Sequence, residues 1–191
     1  MQTDDAADLA AAVAREAEEQ GLTVGVAESL TGGTIACTLA AAPNASSWFR
    51  GGLVAYAPEV KFEVLGVPPG PVVSEVCARA MADGAARLLG ADVTVAVTGV
   101  GGPGQEEGKP PGTVWLAVVA PGGAQVELCR FEGEPAEILD ATTQRALTLL
   151  WDAVRGAESA QRWNDTSPTV MSPLPPNASS DTLRTRRRST P

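Results

Sequence analysis

Two short runs constrain this chain most: Thr23 to Ala27 and Asp92 to Thr98, each rich in Val and Ala and each leading into Ser or Thr and then Gly. A near-continuous apolar run of this length marks a strand buried on both faces, as in the parallel part of an α/β sheet. The carboxyl ends of such strands open into loops, and ligands sit there. Ser29 and Thr98 stand at those two ends.

The flanking patterns fit that frame. Asp4 to Gln20 reads as an alanine-rich helix with acids early and Gly21 as its stop. The pattern predicts a helix over Thr34 to Ala41, a strand over Phe49 to Tyr56 and a helix over Glu59 to Leu65 closed by Gly66. Ser74 caps a long helix reaching Leu89, with Val76, Ala80, Ala85, Leu88 and Leu89 as its apolar positions. Thr113 to Val119 and Gln125 to Phe131 are strand patterns joined by Ala120-Pro-Gly-Gly123, hence an antiparallel hairpin. Ala136 to Val154 closes the series as a helix in which Ile138, Leu139, Ala146, Leu149 and Leu150 face a sheet. Helices alternating with strands, followed by a hairpin, imply a three-layer α/β/α single domain with a mixed sheet over residues 1–156. From 157 to 191 the chain turns to Ser, Thr, Pro, Asn and Arg, including Ser172-Pro-Leu-Pro-Pro176, the composition of a disordered tail.

Composition excludes several functions. With 44% apolar residues in 191, one core is expected. Residues 161–191 hold five basic and two acidic groups, so the remaining body carries nine basic against 21 acidic. An acidic body is a poor reader of phosphate backbones, which speaks against nucleic-acid binding by the core. Arg184, Arg186, Arg187 and Arg188 read first as a solvated charge run. The amino terminus is acidic and lacks a signal-type apolar stretch, and no run approaches a membrane span, so a cytoplasmic protein with no membrane partner is expected. Cys37, Cys77 and Cys129 are widely spaced without histidine neighbours and read as free thiols rather than a disulfide framework or metal site.

The absence of histidine sharpens the chemistry. In Val24-Gly-Val-Ala-Glu-Ser-Leu-Thr-Gly-Gly33 a strand runs into Ser29 and a glycine turn, the place for a nucleophile, yet the usual base is missing. Lysine is the substitute, and the chain holds only Lys61 and Lys109 against twelve arginines. A desolvated lysine can serve as a base; arginine cannot. Tyr56, the single tyrosine, ends a strand pattern five residues before Lys61, so strand end and first helical turn can carry both toward one cleft. Gly99-Val-Gly101-Gly-Pro-Gly104 matches the dinucleotide pattern but lacks the helix which that fingerprint needs, since Pro103 and Pro110-Pro111 follow. It remains a glycine loop at a strand end, open to close approach by a ligand.

Together, Ala27-Glu-Ser-Leu-Thr-Gly-Gly33, Trp48-Phe-Arg-Gly-Gly-Leu-Val-Ala-Tyr56, Lys61 with Leu65-Gly-Val67, Val73-Ser-Glu75, Thr98-Gly-Val-Gly-Gly-Pro103 and Lys109-Pro-Pro-Gly-Thr-Val-Trp115 resemble the carboxyl-terminal domain of the CinA competence/damage-inducible family, over about residues 5–154. Free-standing members of that family are nicotinamide-nucleotide amidases. The resemblance implies hydrolysis of nicotinamide mononucleotide to nicotinate mononucleotide and ammonia, in pyridine-nucleotide salvage, with no cofactor. It assigns the nucleophile to Ser29 and the lysine to Lys61, and it puts Tyr56 and Thr98 in the catalytic set. Glu28, Thr31, Gly32, Gly33, Gly99, Gly101 and Gly102 fall on positions around the substrate.

Relatives carry a Gly-Asp-Arg stretch and an arginine opening the last helix, where this chain has Gly133-Glu-Pro135 and Ile138-Leu-Asp140. Arg145, one to two turns on, is the expected replacement as a phosphate contact. Three readings stay open: a nucleotide amidase, a non-catalytic nucleotide-binding module, and an amidase for a smaller amide. A symmetric homodimer is a further expectation for an α/β domain of this size.

Overall fold

The computed structural model describes residues 3–166; the remainder of the expected tail, with Arg184 and Arg186–Arg188, lies outside the described residues. Five strands form one mixed sheet in the order β2-β1-β3-β4-β5, with β1 Val24–Glu28, β2 Phe49–Val54, β3 Val93–Gly99, β4 Thr113–Ala120 and β5 Gly123–Arg130. The first three strands run parallel, with Ala27 between Leu53 of β2 and Ala96 of β3. β3, β4 and β5 pair antiparallel, and Pro121-Gly122 makes the tight connection of the last hairpin. The mixed α/β architecture expected from the alternating pattern is the one observed.

Side-chain size sorts the two faces. On β3, Val93, Val95 and Val97 join Val24, Val26 and Leu116 under α1 Thr3–Gln20 and α6 Pro135–Thr166. The alternate positions, Ala27, Ala96 and Ala117, are small and lie under α5 Glu75–Leu89. Small residues on that face let a helix approach closely, so the period-two alternation of Val with Ala or Thr sets the spacing of the layers. Ser74 caps α5 as expected, its hydroxyl accepting from Cys77 N at 3.2 Å.

α2 Thr34–Ala40 and α4 Pro58–Glu63 match the expected short helices to within two residues. Two features differ. A one-turn helix, α3 Ala45–Trp48, stands where no helix was read, held by Trp48 Nε1 donating to Pro43 O at 3.0 Å; four residues are too few for a period to register. The last helix runs to Thr166, well past Val154, so the first part of the expected tail at 157–166 continues the helix. Ala157 still packs at the core edge, and the segment offers no glycine or proline after Gly156 to stop it.

α5 crosses the end of α4 so closely that a Cβ on Gly84 would sit 2.1 Å from Leu65 O. Gly84→Ala is therefore expected to destabilise the protein by about 1–3 kcal/mol despite alanine's better helix propensity, because backbone must move. Urea denaturation reads the loss as a lowered midpoint with unchanged slope; a midpoint at or above wild type would refute it.

Candidate active site

In a sheet ordered β2-β1-β3-β4, the chain leaves β1 toward β2 and leaves β3 toward β4 in opposite directions, and the crevice at the carboxyl ends of β1 and β3 is the place for a ligand. A cavity of about 510 Å³ opens there. Ser29 follows β1, Thr98 and Gly99 close β3, and Lys61 enters from α4.

Lys61 is brought in by the register of a short helix. Pro58 starts α4, Glu59, Val60, Glu63 and Val64 point outward, and Lys61 and Leu65, four residues apart, share the inward face. Lys61 is 1% exposed. Its Nζ donates to Ser29 Oγ at 3.0 Å and to the Tyr56 carbonyl at 3.0 Å. Burial lowers its pKa below the usual lysine value of 10.5, against smaller opposing effects of Cys77, Glu106 and Glu107. Burial also pushes the Cys77 thiol up, so that group carries little charge at neutral pH with which to hold a proton on Lys61.

The structure unites Ser29, Lys61, Tyr56 and Thr98 at one cavity, with a changed part for two of them. Tyr56 serves Lys61 through its main-chain carbonyl, while the residue as a whole is 70% exposed. Thr98 is buried and donates to Val72 O at 2.7 Å, fixing the 70–74 segment that forms a cavity wall.

The glycines divide as well. Gly101 and Gly102 line the cavity, and their N–H groups, like that of Leu30, meet no protein acceptor among the described residues. Gly99 is required chiefly by packing, since a Cβ there would lie 2.5 Å from Thr113 O.

Five of the expected substrate contacts stand elsewhere. Glu28 is fully buried, and its carboxylate accepts from Gly33 N, Ile35 N and Ala36 N at 3.0, 3.1 and 2.8 Å, so it holds the turn after Ser29 rather than facing the cavity. Thr31, Gly32 and Gly33 shape that turn, with Gly32 and Gly33 at φ of 60° and 105°, and do not line the cavity. Arg145 is also outside it: Nε donates to Glu127 at 3.0 Å, tying α6 to β5. A side chain on α6 that faces the outer strand is turned away from the carboxyl edge of β1 and β3, and the linear motif carried no information on that.

Several wall residues were not among the expected site residues. Val72 and Val73 come from an irregular segment, Pro135 and Leu139 from the start of α6, and Glu106 from the glycine-loop extension. Two had a signal in the sequence: Val73 opens the Val73-Ser-Glu75 motif, and Glu106 is an acidic residue within a glycine-rich loop at a strand end. Among the described residues no cluster of three or more His, Cys, Asp or Glu side chains could hold a metal ion, and no helix is long and apolar enough to cross a membrane.

Fold and site define a mixed-sheet α/β protein with a buried serine and lysine pair at the strand carboxyl ends. The CinA C-terminal domain family matches residues 6–154, and the chain belongs to it. Curated relatives include a CinA-like protein of Geobacter sulfurreducens, 45% identical over 146 residues, and one of Akkermansia muciniphila, 42% identical over 156. These matches cover 73% and 78% of this chain but only 35% and 38% of the relatives, so the chain spans little more than a third of their length. Solved CinA superfamily structures are alike over nearly their full length. One from Klebsiella pneumoniae has a TM-score of 0.75 at 32% identity, covering 78% of this chain and 98% of its own. The competence/damage inducible protein CihA from Agrobacterium tumefaciens has a TM-score of 0.75 at 35% identity, covering 79% and 96%.

Proposed function

We propose that this chain is an amidohydrolase that uses Ser29 as nucleophile and Lys61 as general base, acting on the carboxamide of nicotinamide mononucleotide. The observation that carries the reading is the 3.0 Å approach of Lys61 Nζ to Ser29 Oγ inside a cavity where burial lowers the lysine's pKa. That distance lies within the reach needed for proton transfer.

Neutral Lys61 takes the Ser29 proton as Oγ bonds to the amide carbon, and the carbonyl becomes an oxyanion. The free N–H groups of Leu30, Gly101 and Gly102 are the available donors to that oxyanion; one such donor is typically worth about 100 to 1,000-fold in rate. Lys61 returns the proton to the amide nitrogen, the C–N bond breaks and ammonia leaves. A water, deprotonated by the same amine, adds to the ester, and collapse releases the carboxylate and restores the Ser29 hydroxyl.

One observation favours a second reading in which the substrate lacks a phosphate. Arg145 is paired with Glu127, and among the described residues Lys61 is the only Lys or Arg lining the cavity. Ammonia release from nicotinamide mononucleotide, its nucleoside and free nicotinamide separates the two. Added hydroxylamine should divert the acyl-enzyme to the corresponding hydroxamate. If no amide in the set yields either ammonia or hydroxamate, the amidase reading fails.

A further inference from the structure

The loop Gly104 to Lys109 contributes Gly104, Gln105 and Glu106 to the cavity wall, and most of its charges are already committed. Glu107 sits at φ 51°, the left-handed region that a non-glycine residue occupies only when its surroundings hold it there. They do: its two carboxylate oxygens accept from Val72 N at 2.7 Å and Val73 N at 3.0 Å. Lys109 Nζ lies 3.5 Å from the same carboxylate. The loop is closed on itself as well, Glu106 N donating to Lys109 O at 3.1 Å and Lys109 N to Glu106 O at 2.9 Å.

Glu106 is thereby presented on a braced turn, and it lines the cavity with Ser29, Lys61 and Tyr56. Among the described residues no hydrogen-bond donor or cation pairs with its side chain. Its charge is one of the smaller effects that oppose the burial at Lys61. Tyr56, largely exposed, lines the same cavity and offers an aromatic surface.

A carboxylate without a partner and an exposed aromatic ring on the wall of one cavity favour a flat cation over a flat neutral molecule. This bears on the proposed substrate, because nicotinamide substituted at its ring nitrogen is a pyridinium cation whereas free nicotinamide is neutral. We propose that Glu106 is a specificity-determining residue that selects amides borne on a cationic ring. The inference rests on the amidase reading only for where the ring lies, not for whether hydrolysis follows.

The test separates the two. Titrate the Ser29→Ala protein, which retains the cavity but lacks the nucleophile, with 1-methylnicotinamide as the cationic probe and nicotinamide as the neutral one, following binding by NMR. The cation should bind about tenfold more tightly at low salt, with the preference shrinking as ionic strength rises. In Ser29→Ala/Glu106→Gln the two affinities should converge, in Ser29→Ala/Glu106→Asp much of the preference should return, and Ser29→Ala/Glu106→Lys should invert it. Equal affinities in the Ser29→Ala protein, a preference that survives Glu106→Gln, or no saturable binding of the cation overturns the proposal. Ammonia release by the wild type is scored independently: binding with the expected preference but without turnover leaves Glu106 in its role and sinks the amidase reading instead.

Discussion

Ser29→Ala, Lys61→Met and the double variant are expected to lose ammonia release to the same extent, on the order of 10⁴ to 10⁶-fold in kcat. The reason is geometric. Ser29 Oγ and Lys61 Nζ meet at 3.0 Å, the chain has no histidine, and among the described residues no other side chain is hydrogen-bonded to Ser29 Oγ. A nucleophile and its base act as one unit, so removing either removes the step, and removing both removes little more. Independent contributions would multiply instead, and a double variant far below either single one would break the pair apart. Lys61→Arg is expected to be as inactive as Lys61→Met, because a guanidinium stays protonated at any working pH. Single-turnover assays at matched substrate saturation read these losses, and full activity in any single variant refutes the pair.

The same lysine sets the sign of the pH dependence. Its folded pKa lies below 10.5, so the unfolded chain binds the extra proton over the interval between the lowered value and 10.5. Stability contributed through this group therefore rises with pH across that interval and is least below the lowered value, where folding must bury a charged amine. Under the proposed mechanism activity should also rise through the lowered value, because the neutral amine is the form that acts as base. Lys61→Met should remove the lysine's part of both slopes, read by urea midpoints and by rate against pH.

The contrast between what the chain disclosed and what it withheld follows a physical line. The buried strands were legible because a run such as Val93 to Val97 holds a single polar residue, Thr94, among apolar ones. The edge of the sheet was legible because Pro121-Gly122 can only turn. Ser29 and Lys61 could be paired by elimination, since the chain offered one plausible base near one plausible nucleophile. Burial at one site was not legible for Glu28 and Arg145. Each is a charged residue near a motif, and only three dimensions reveal whether its partner is a ligand or the protein's own backbone. Glu127, which holds Arg145, lies 18 residues away in sequence on another element, and no local pattern connects them.

Glu28→Ala is expected to destabilise the protein by about 3–5 kcal/mol and to lower activity with it. α2 has seven residues and Gly33 at its cap, so the helix has no side chain of its own to receive its first amides. Glu28, at the end of β1, supplies that acceptor from five residues upstream, and a carboxylate taking amide N–H groups is worth about 1.5–3 kcal/mol for each well-formed bond. Three such bonds are lost together. The estimate stays below their sum because the turn is part-buried and water can reach Gly33 N and Ala36 N. The adjacent residue is Ser29, so loosening the turn also moves the nucleophile away from Lys61. Glu28→Gln keeps one acceptor oxygen but sets an NH₂ group against an amide N–H, and should fall between alanine and wild type in both stability and kcat. Urea midpoints and kcat measured on the same preparations check this order; a Glu28→Ala protein as stable as wild type would show that the carboxylate does not hold the turn.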